Sequence, residues 1–365
     1  MIGKLSRLSA ATAVVALVTG AAWAQERVVN VYNWSDYIDE SIIEDFTKET
    51  GIKVVYDVFD SNEILETKLL AGGSGYDIVV PTSNFMVRQI AAGVYQKLDK
   101  SKLPNLSNMW DVVTERVAKY DPGNEYSINY MWGTVGLGYN QKKVQEALGI
   151  EKIDSWDVFF NPEKLSKLAD CGVYVLDSPT DLIPTTLKYL GLDPESTSAE
   201  DLAKVEEALM KIRPYVRKFH SSEYINALAN GDICIAVGWS GDVFQARDRA
   251  AEADQGVVVD YVIPKEGAEM WFDQMAIPAD AKHVEEAHEF LNYMMKPEVA
   301  AKATNYVYFP NGNKASQEFI DDEIMSDPAI YPDEETLAGL FTVSPYDPKT
   351  QRLVTRLWTK IVTGQ

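Results

Sequence analysis

The sequence is poor in the residues that most often build catalytic and metal centres. Its 365 residues include only two cysteines and three histidines. His283 and His288 are five residues apart, which misses the i,i+4 spacing of metal-binding pairs on a helix. Cysteines and histidines this scattered make a poor structural zinc site, and they leave a serine or cysteine hydrolase without an obvious general base. We therefore expect no metal, no cofactor and no enzymatic activity.

Long apolar runs are equally scarce. One uncharged, mostly apolar stretch spans residues 8–20, after the positive Lys4 and Arg7, and Ala22-Trp23-Ala24 follows it. This order predicts a signal peptide over residues 1–24, cleaved after Ala24, and a periplasmic location. A membrane anchor is the alternative reading, but the run is shorter than the ~20 residues needed to cross a bilayer.

Positive charge is also in short supply. Lys and Arg number 34 against 55 Asp and Glu, giving a net charge of −21, and loss of Lys4 and Arg7 would bring it to −23. Such a surface repels nucleic acid and anionic lipid and enriches cations nearby. We expect no nucleic-acid partner and no membrane insertion. A soluble acidic protein of any function would share this balance, so charge alone does not identify the ligand.

The two cysteines, Cys171 and Cys234, both lie in the exported part of the chain. An even number of cysteines in an oxidising compartment favours one disulfide. Two buried free thiols are the alternative.

The remaining 341 residues are enough for roughly two domains. Strand-like and helix-like patterns alternate, which predicts parallel pairing with right-handed crossovers. Predicted strands cover residues 28–32, 52–58, 77–80, 172–176, 233–237, 257–263 and 270–277. Predicted helices cover residues 40–50, 62–71, 201–211 and 284–295. We expect two α/β lobes connected by several chain crossings.

Tryptophan and aspartate recur where the predicted strands end, and ligands of open α/β sheets bind at such ends. Trp34 with Asp36 and Trp239 with Asp242 follow predicted strands, whereas Trp271 and Asp273 open one. An aromatic face stabilises an ammonium group by roughly 0.5–2 kcal/mol, and a carboxylate accepts a charge-assisted hydrogen bond from it. Taken singly, each tryptophan could equally pack in a core. The repeated pairing favours a cleft for an organic cation.

Motifs of known enzymes are incomplete in this sequence. Gly72-Gly73-Ser74-Gly75 and Gly238-Trp239-Ser240-Gly241 do not complete G-x-S-x-G, and Gly133, Gly136 and Gly138 form no phosphate loop. Acidic pairs could still serve a periplasmic glycosidase, which is the alternative from another class. A two-lobed sugar-binding protein is the nearer alternative, although sugars usually require mixed donors and acceptors.

Several short strings, in this order, resemble the periplasmic polyamine-binding proteins of bacterial ABC transporters. They are Tyr32-Asn33-Trp34-Ser35-Asp36-Tyr37-Ile38, Tyr76-Asp77-Ile78-Val79-Val80-Pro81, Gly238-Trp239-Ser240-Gly241-Asp242, Trp271-Phe272-Asp273 and Asn311-Gly312-Asn313-Lys314. The resemblance runs from about Val28 to the C-terminus. It implies two α/β lobes, each a mixed sheet flanked by helices, with the ligand cleft between them. It further implies a monomer that delivers a polyamine to an inner-membrane ABC permease.

The same resemblance implies lobe boundaries and a ligand set. The first lobe would comprise residues 26–134 with 272–308, and the second residues 135–271 with 309–365. The aromatic walls would be Trp34, Tyr37, Trp239, Trp271 and Phe309. The carboxylates would be Asp36, Asp181, Asp242 and Asp273, with Ser35, Thr82 and Ser221 as neutral partners. Cys171 and Cys234 lie where some putrescine-binding members carry a disulfide.

Three positions depart from the resemblance or bear on the ligand. Many members have tyrosine where Phe309 stands, and some spermidine-binding members have aspartate where Ser178 stands. Trp271 is similar to the spermidine-binding members, whereas putrescine-preferring members tend to have phenylalanine. The sequence therefore predicts spermidine in preference to putrescine.

Overall fold

A computed structural model describes residues 27–365, so the predicted signal peptide and its cleavage site lie outside the described residues. The described chain has nine strands: β1 Val28–Trp34, β2 Lys53–Phe59, β3 Ile78–Val79, β4 Ser127–Asn140, β5 Val173–Val175, β6 Lys218–Phe219, β7 Ile235–Trp239, β8 Val259–Val262 and β9 Met270–Ala276. No helix within residues 27–365 combines the length and the hydropathy of a membrane span.

Sixteen α-helices surround these strands in the described residues. They are α1 Glu40–Thr50, α2 Asn62–Ala71, α3 Ser83–Ala91, α4 Asp111–Val117, α5 Gln141–Leu148, α6 Asp157–Phe160, α7 Pro162–Leu165, α8 Pro179–Tyr189, α9 Ala199–Ile212, α10 Glu223–Ala229, α11 Ser240–Ala253, α12 Val284–Met294, α13 Pro297–Val307, α14 Asp322–Met325, α15 Glu334–Gly339 and α16 Pro348–Thr363. Short 3₁₀ turns span Lys100–Lys102, Pro104–Asn108, Ser166–Leu168, Arg213–Tyr215 and Lys314–Phe319.

The strands form a mixed sheet in the order β2-β1-β3-β9-β4-β7-β5-β6, and β8 also pairs with β4. The predicted parallel pairing is confirmed for β1 with β2 and β3, and for β5 with β6 and β7. β9 runs antiparallel to both β3 and β4, which makes the sheet mixed. Helices pack on the sheet, and its central strands β4 and β9 are buried throughout, whereas the edge strand β2 is mostly exposed. The α/β fold class is confirmed.

The long strand β4 connects two halves of the sheet. Its residues Ser127–Thr134 pair with β9, and its residues Val135–Tyr139 pair with β7. The pairing partner changes at the position where the sequence predicts the boundary between lobes. The boundaries of the two lobes stay a prediction.

Sequence patterns missed β4 because all fourteen of its residues are buried, which leaves no alternation of polar and apolar side chains. Its glycines allow close packing. A Cβ atom on Gly133 would lie 2.6 Å from the ring of Trp271, and one on Gly136 would lie 2.4 Å from the hydroxyl of Tyr261. Glycine is therefore needed in this strand for space.

The two cysteines form a disulfide, as predicted from their number and compartment. Cys171 and Cys234 are 63 residues apart in sequence, and their Cα atoms are 5.5 Å apart. Both precede neighbouring parallel strands, β5 and β7, so the bond ties the starts of those strands together.

Candidate ligand-binding site

A cavity with an empty volume of about 760 Å³ lies at the carboxyl ends of β1, β3 and β7, facing the start of β9. This is the position at which open α/β sheets bind ligands. Its lining comprises Trp34, Ser35, Tyr37, Asp60, Ser61, Asn62, Glu63, Thr82, Asn84, Asp177, Ser178, Thr180, Asp181, Ser221, Ser222, Ile225, Trp239, Asp242, Glu269, Trp271, Asp273 and Phe309.

Three aspartates in this lining are almost completely buried. Burial raises the pKa of Asp181, of Asp242 and of Asp273 to about 7 in each case, because a carboxylate loses the solvation of water there. Charge repulsion adds to this effect, since Asp273 raises the pKa of Asp242 and Asp181 raises that of Asp273. A bound cation would relieve both penalties.

Asp273 is held by hydroxyl donors from the β1 and β3 side of the cavity. The Tyr37 hydroxyl donates to its Oδ2 at 2.9 Å, and the Thr82 hydroxyl donates to its Oδ1 at 2.7 Å. Thr82 is fixed in turn by Asn62, whose Oδ1 accepts from the Thr82 backbone N–H at 3.0 Å. The hydrogen bonds from Tyr37 and Thr82 lower the pKa of Asp273, but burial raises it by more. The carboxylate is thus oriented before any ligand arrives.

Asp242 has a similar support on the other side of the cavity. It lies in the first turn of α11, directly after β7. The Tyr224 hydroxyl donates to its Oδ2 at 2.6 Å and accepts the backbone N–H of Trp239 at 3.1 Å. The side chain of Tyr224 is fully buried, so the position of Asp242 is set by the core.

Aromatic side chains form the walls between these carboxylates. The rings of Trp34 and Trp239 meet edge to face with centroids 5.8 Å apart, and those of Trp271 and Phe309 do so at 5.1 Å. Tyr37 packs edge to face against Phe309 at 5.3 Å. The indole N–H of Trp34 donates to the Val80 carbonyl at 2.9 Å, which fixes that ring at the end of β1. Such walls suit an ammonium group and the methylenes attached to it.

Eleven of the twelve predicted site residues line the cavity: Trp34, Ser35, Tyr37, Thr82, Asp181, Ser221, Trp239, Asp242, Trp271, Asp273 and Phe309. Asp36 is the exception. Its backbone is left-handed, with φ of 54°, and its carboxylate accepts from the Arg249 guanidinium at 2.7 Å. This ion pair engages Oδ1 of the carboxylate that the resemblance assigned to the ligand, and that assignment stays a prediction.

Further acidic residues line the cavity that were not predicted from the sequence as site residues. Asp60 follows β2 and accepts a hydrogen bond from the Ser35 hydroxyl at 3.0 Å. Asp177 precedes α8 and accepts the indole N–H of Trp358 at 2.7 Å. Glu269 immediately precedes β9 and is almost fully buried. Asp60 and Asp177 follow strands, so the rule about strand ends could have found them, whereas Glu269 precedes one.

The charge of the described lining is of one sign. It contains aspartates and glutamates, hydroxyls and aromatic rings, and none of the described lining residues is a lysine or an arginine. A cavity of this kind is suited to hold a compact organic cation by charge, cation–π attraction and apolar contact.

Comparisons with known proteins agree with this geometry. The family model of the bacterial extracellular solute-binding proteins matches residues 41–332. Over the whole of both chains, the sequence is 53% identical to the putrescine-binding periplasmic protein SpuD of Pseudomonas aeruginosa. It is 50% identical to the putrescine-binding periplasmic protein PotF of Escherichia coli, covering 97% of this chain and 96% of that protein.

Solved structures of related binding proteins share the fold of this chain. A putative spermidine/putrescine ABC transporter protein from Listeria monocytogenes superposes with a TM-score of 0.83 at 33% identity, covering 93% of this chain and 100% of that one. These relatives are solute-binding proteins and not enzymes, and the resemblance stated from the short strings is confirmed. The chain is periplasmic and belongs to the bacterial extracellular solute-binding proteins, alongside the polyamine-binding members of that family.

Proposed function

We propose that this protein is the solute-binding component of an ABC importer and captures a linear polyamine, with putrescine preferred over spermidine. The observation that carries the proposal is the group of three buried aspartates in a cavity whose described lining contains no lysine or arginine. Buried carboxylates are costly unless they are paired with a cation. A diamine supplies two positive charges to this group of carboxyls, and the aromatic walls cover its methylenes.

The preference for putrescine rests on the relatives. The two at 53% and 50% identity are named for putrescine, whereas the spermidine/putrescine-binding protein of Escherichia coli is 33% identical. The preference for spermidine predicted from Trp271 is not supported by this ranking. That prediction rested on one aromatic position, whereas identity over the whole chain also reflects the residues behind the cavity walls.

Delivery to a permease follows from the same proposal. Relatives carry the names of spermidine/putrescine ABC transporter proteins, which supports an ABC permease as the partner. The ligand would be enclosed between the two predicted lobes, residues 26–134 with 272–308 and residues 135–271 with 309–365. We expect the protein to act as a monomer.

Isothermal titration calorimetry of the exported chain tests the proposal. Putrescine, spermidine, cadaverine and maltose are titrated at one pH and one salt concentration, because attraction to an acidic protein is screened by salt. We expect one site per chain, tightest binding for putrescine and no binding of maltose. Tighter binding of spermidine than of putrescine would overturn the preference, and binding of maltose alone would identify a sugar-binding protein.

A further inference from the structure

Glu269 is a fourth buried acidic group of the cavity, and the preceding account of the ligand does not use it. Its side chain lines the cavity and is only 2% exposed. Its Oε2 atom is buried and has no hydrogen-bond partner among residues 27–365. Buried polar atoms are rarely left unpaired, so an orphaned carboxyl oxygen at a ligand cavity indicates a partner that arrives from outside.

Among residues 27–365, no cation is found paired with the Glu269 carboxyl. The acidic group that acts on it is Asp181 on α8, and the phenols of Tyr120 and Tyr346 also lie within its electrostatic reach. Two cations lie near adjacent residues. Arg116 contacts the sulfur of Met270 at 3.1 Å, and Lys188 packs against Gly267. The interactions found for these cations do not include the Glu269 carboxyl.

Burial and the nearby Asp181 together raise the pKa of Glu269 well above its usual range. Two buried carboxyls that repel each other electrostatically resist ionising together unless a cation is nearby. A diamine brings two positive charges to a cavity that holds Asp242, Asp273 and this acidic pair. A third positive charge is needed before both members of the pair can ionise.

We infer that Glu269 is a specificity-determining residue that receives the third cationic group of a linear triamine such as spermidine. The inference rests on the proposed function and extends it: the same cavity accepts a diamine and a triamine, and Glu269 contributes mainly to binding of the triamine. Trp271, two residues along, also lines the cavity, and its ring would cover the methylenes between the charged groups.

The variant Glu269→Gln tests this assignment, since it keeps the shape and removes the ionisable group. Calorimetry of the full exported chain with putrescine and with spermidine measures both dissociation constants. We expect the Kd for spermidine to rise at least tenfold and the Kd for putrescine to rise less than threefold. Glu207→Gln is the matched control, because it removes an equal charge from the exposed surface of α9.

A second readout separates ligand contact from a structural role. Titrations at pH 7 in two buffers of different ionisation enthalpy give the number of protons released on binding. Spermidine should release more protons than putrescine from the unmodified protein, and this difference should disappear in Glu269→Gln. If the amide disturbs folding, Glu269→Met keeps the length without a polar group and is measured in the same way.

The outcomes are distinct for the two proposals. If the unmodified protein binds neither polyamine, the proposed function fails and this inference fails with it. If it binds putrescine, but Glu269→Gln leaves the ratio of the two dissociation constants unchanged, this inference alone is overturned. Equal loss of both ligands also overturns it, because Glu269 would then support the cavity without discriminating between ligands.

Discussion

At the scale of single residues, the proposed ligand contacts are buried carboxyls that neighbouring hydroxyl groups already orient in the ligand-free protein. Asp273 is 4% exposed and accepts hydrogen bonds from Tyr37 and Thr82. Asp242 accepts one from Tyr224. Each carboxyl has a position fixed by the core and a charge that burial disfavours. Binding of a cation is therefore expected to change the ionisation of these carboxyls.

Replacing Asp273 with asparagine should weaken putrescine binding by about 2–5 kcal/mol, because one end of a desolvated, charged hydrogen bond is lost. The shape of the side chain is kept, so a loss of affinity reports the charge. Calorimetry at pH 8 measures the change, and Glu207→Gln controls for the loss of one acidic charge elsewhere. An unchanged Kd for putrescine would show that Asp273 is not a ligand contact.

Binding should strengthen as the pH rises from 5 to 8. The pKa of each of Asp181, Asp242 and Asp273 is raised to about 7, and a carboxyl that must lose its proton weakens binding roughly tenfold per pH unit below its pKa.

The stability of the ligand-free protein should change with pH in the opposite direction. A raised carboxyl pKa stabilises the fold below about pH 4, and this contribution is lost as the pH rises through about 7.

Melting temperatures between pH 5 and pH 8, with and without saturating putrescine, test both signs. The three aspartates should lower the melting temperature of the free protein as the pH rises. The rise in melting temperature caused by saturating putrescine should become larger over the same pH range. A ligand effect that is largest at pH 5 would contradict the assignment of these carboxyls to the site.

At the scale of the elements, the aromatic wall depends on glycines that leave room for it. Gly241 lies in the first turn of α11, and a Cβ atom there would be 2.4 Å from the ring of Phe309. That ring also contacts Trp271 and Tyr37. The helix and the wall can approach this closely only because residue 241 has no side chain.

Gly241→Ala should lower the free energy of unfolding by about 1–3 kcal/mol, as overpacking in a core does. It should also weaken putrescine binding, since the ring of Phe309 must move. Urea unfolding and calorimetry measure the two effects. Gly339→Ala is the control, because a Cβ atom there would have no heavy atom within 4 Å. Equal behaviour of the two variants would contradict the role given to Gly241.

At the scale of the whole molecule, one ion pair joins segments that are distant in sequence at the edge of the site. The Arg249 guanidinium on α11 donates to Asp36 at 2.7 Å and to the Asn226 side chain at 2.9 Å. Gln245 adds a hydrogen bond to the carbonyl of Asp36 at 3.2 Å. Asp36 follows β1, whereas α11 follows β7, so these bonds hold the two predicted lobes together.

Replacing Arg249 with methionine should favour a more open form of the ligand-free protein. Small-angle X-ray scattering should then give a larger radius of gyration without ligand and an unchanged one with saturating putrescine. Because the pair is partly exposed, its loss should cost no more than about 1 kcal/mol of binding. Lys211→Met, which breaks an ion pair within α9, is the control. Identical scattering of Arg249→Met and Lys211→Met would contradict this role.

Much of this organisation was predictable from the sequence because it is local. The alternation of strand and helix signals predicted β1, α1, β2 and α2, since each element carries its own periodicity and end signals. The pairing of tryptophan with aspartate predicted that Trp239 and Asp242, after β7, lie in the same cavity as Trp271 and Asp273. The latter two open the antiparallel strand β9, whose start lies at the same edge of the sheet.

Only the tertiary structure decided which acidic groups are available to a ligand. Asp36 and Arg249 are 213 residues apart in sequence, and no local pattern places them in contact. Glu269 lies two residues before the Trp271-Phe272-Asp273 string but is not part of that pattern, and its burial arises only in the folded chain. The sequence by itself determined the residue types, the strand ends and the sign of the charge. Long-range packing decided burial, and burial sets the ionisation on which cation binding depends.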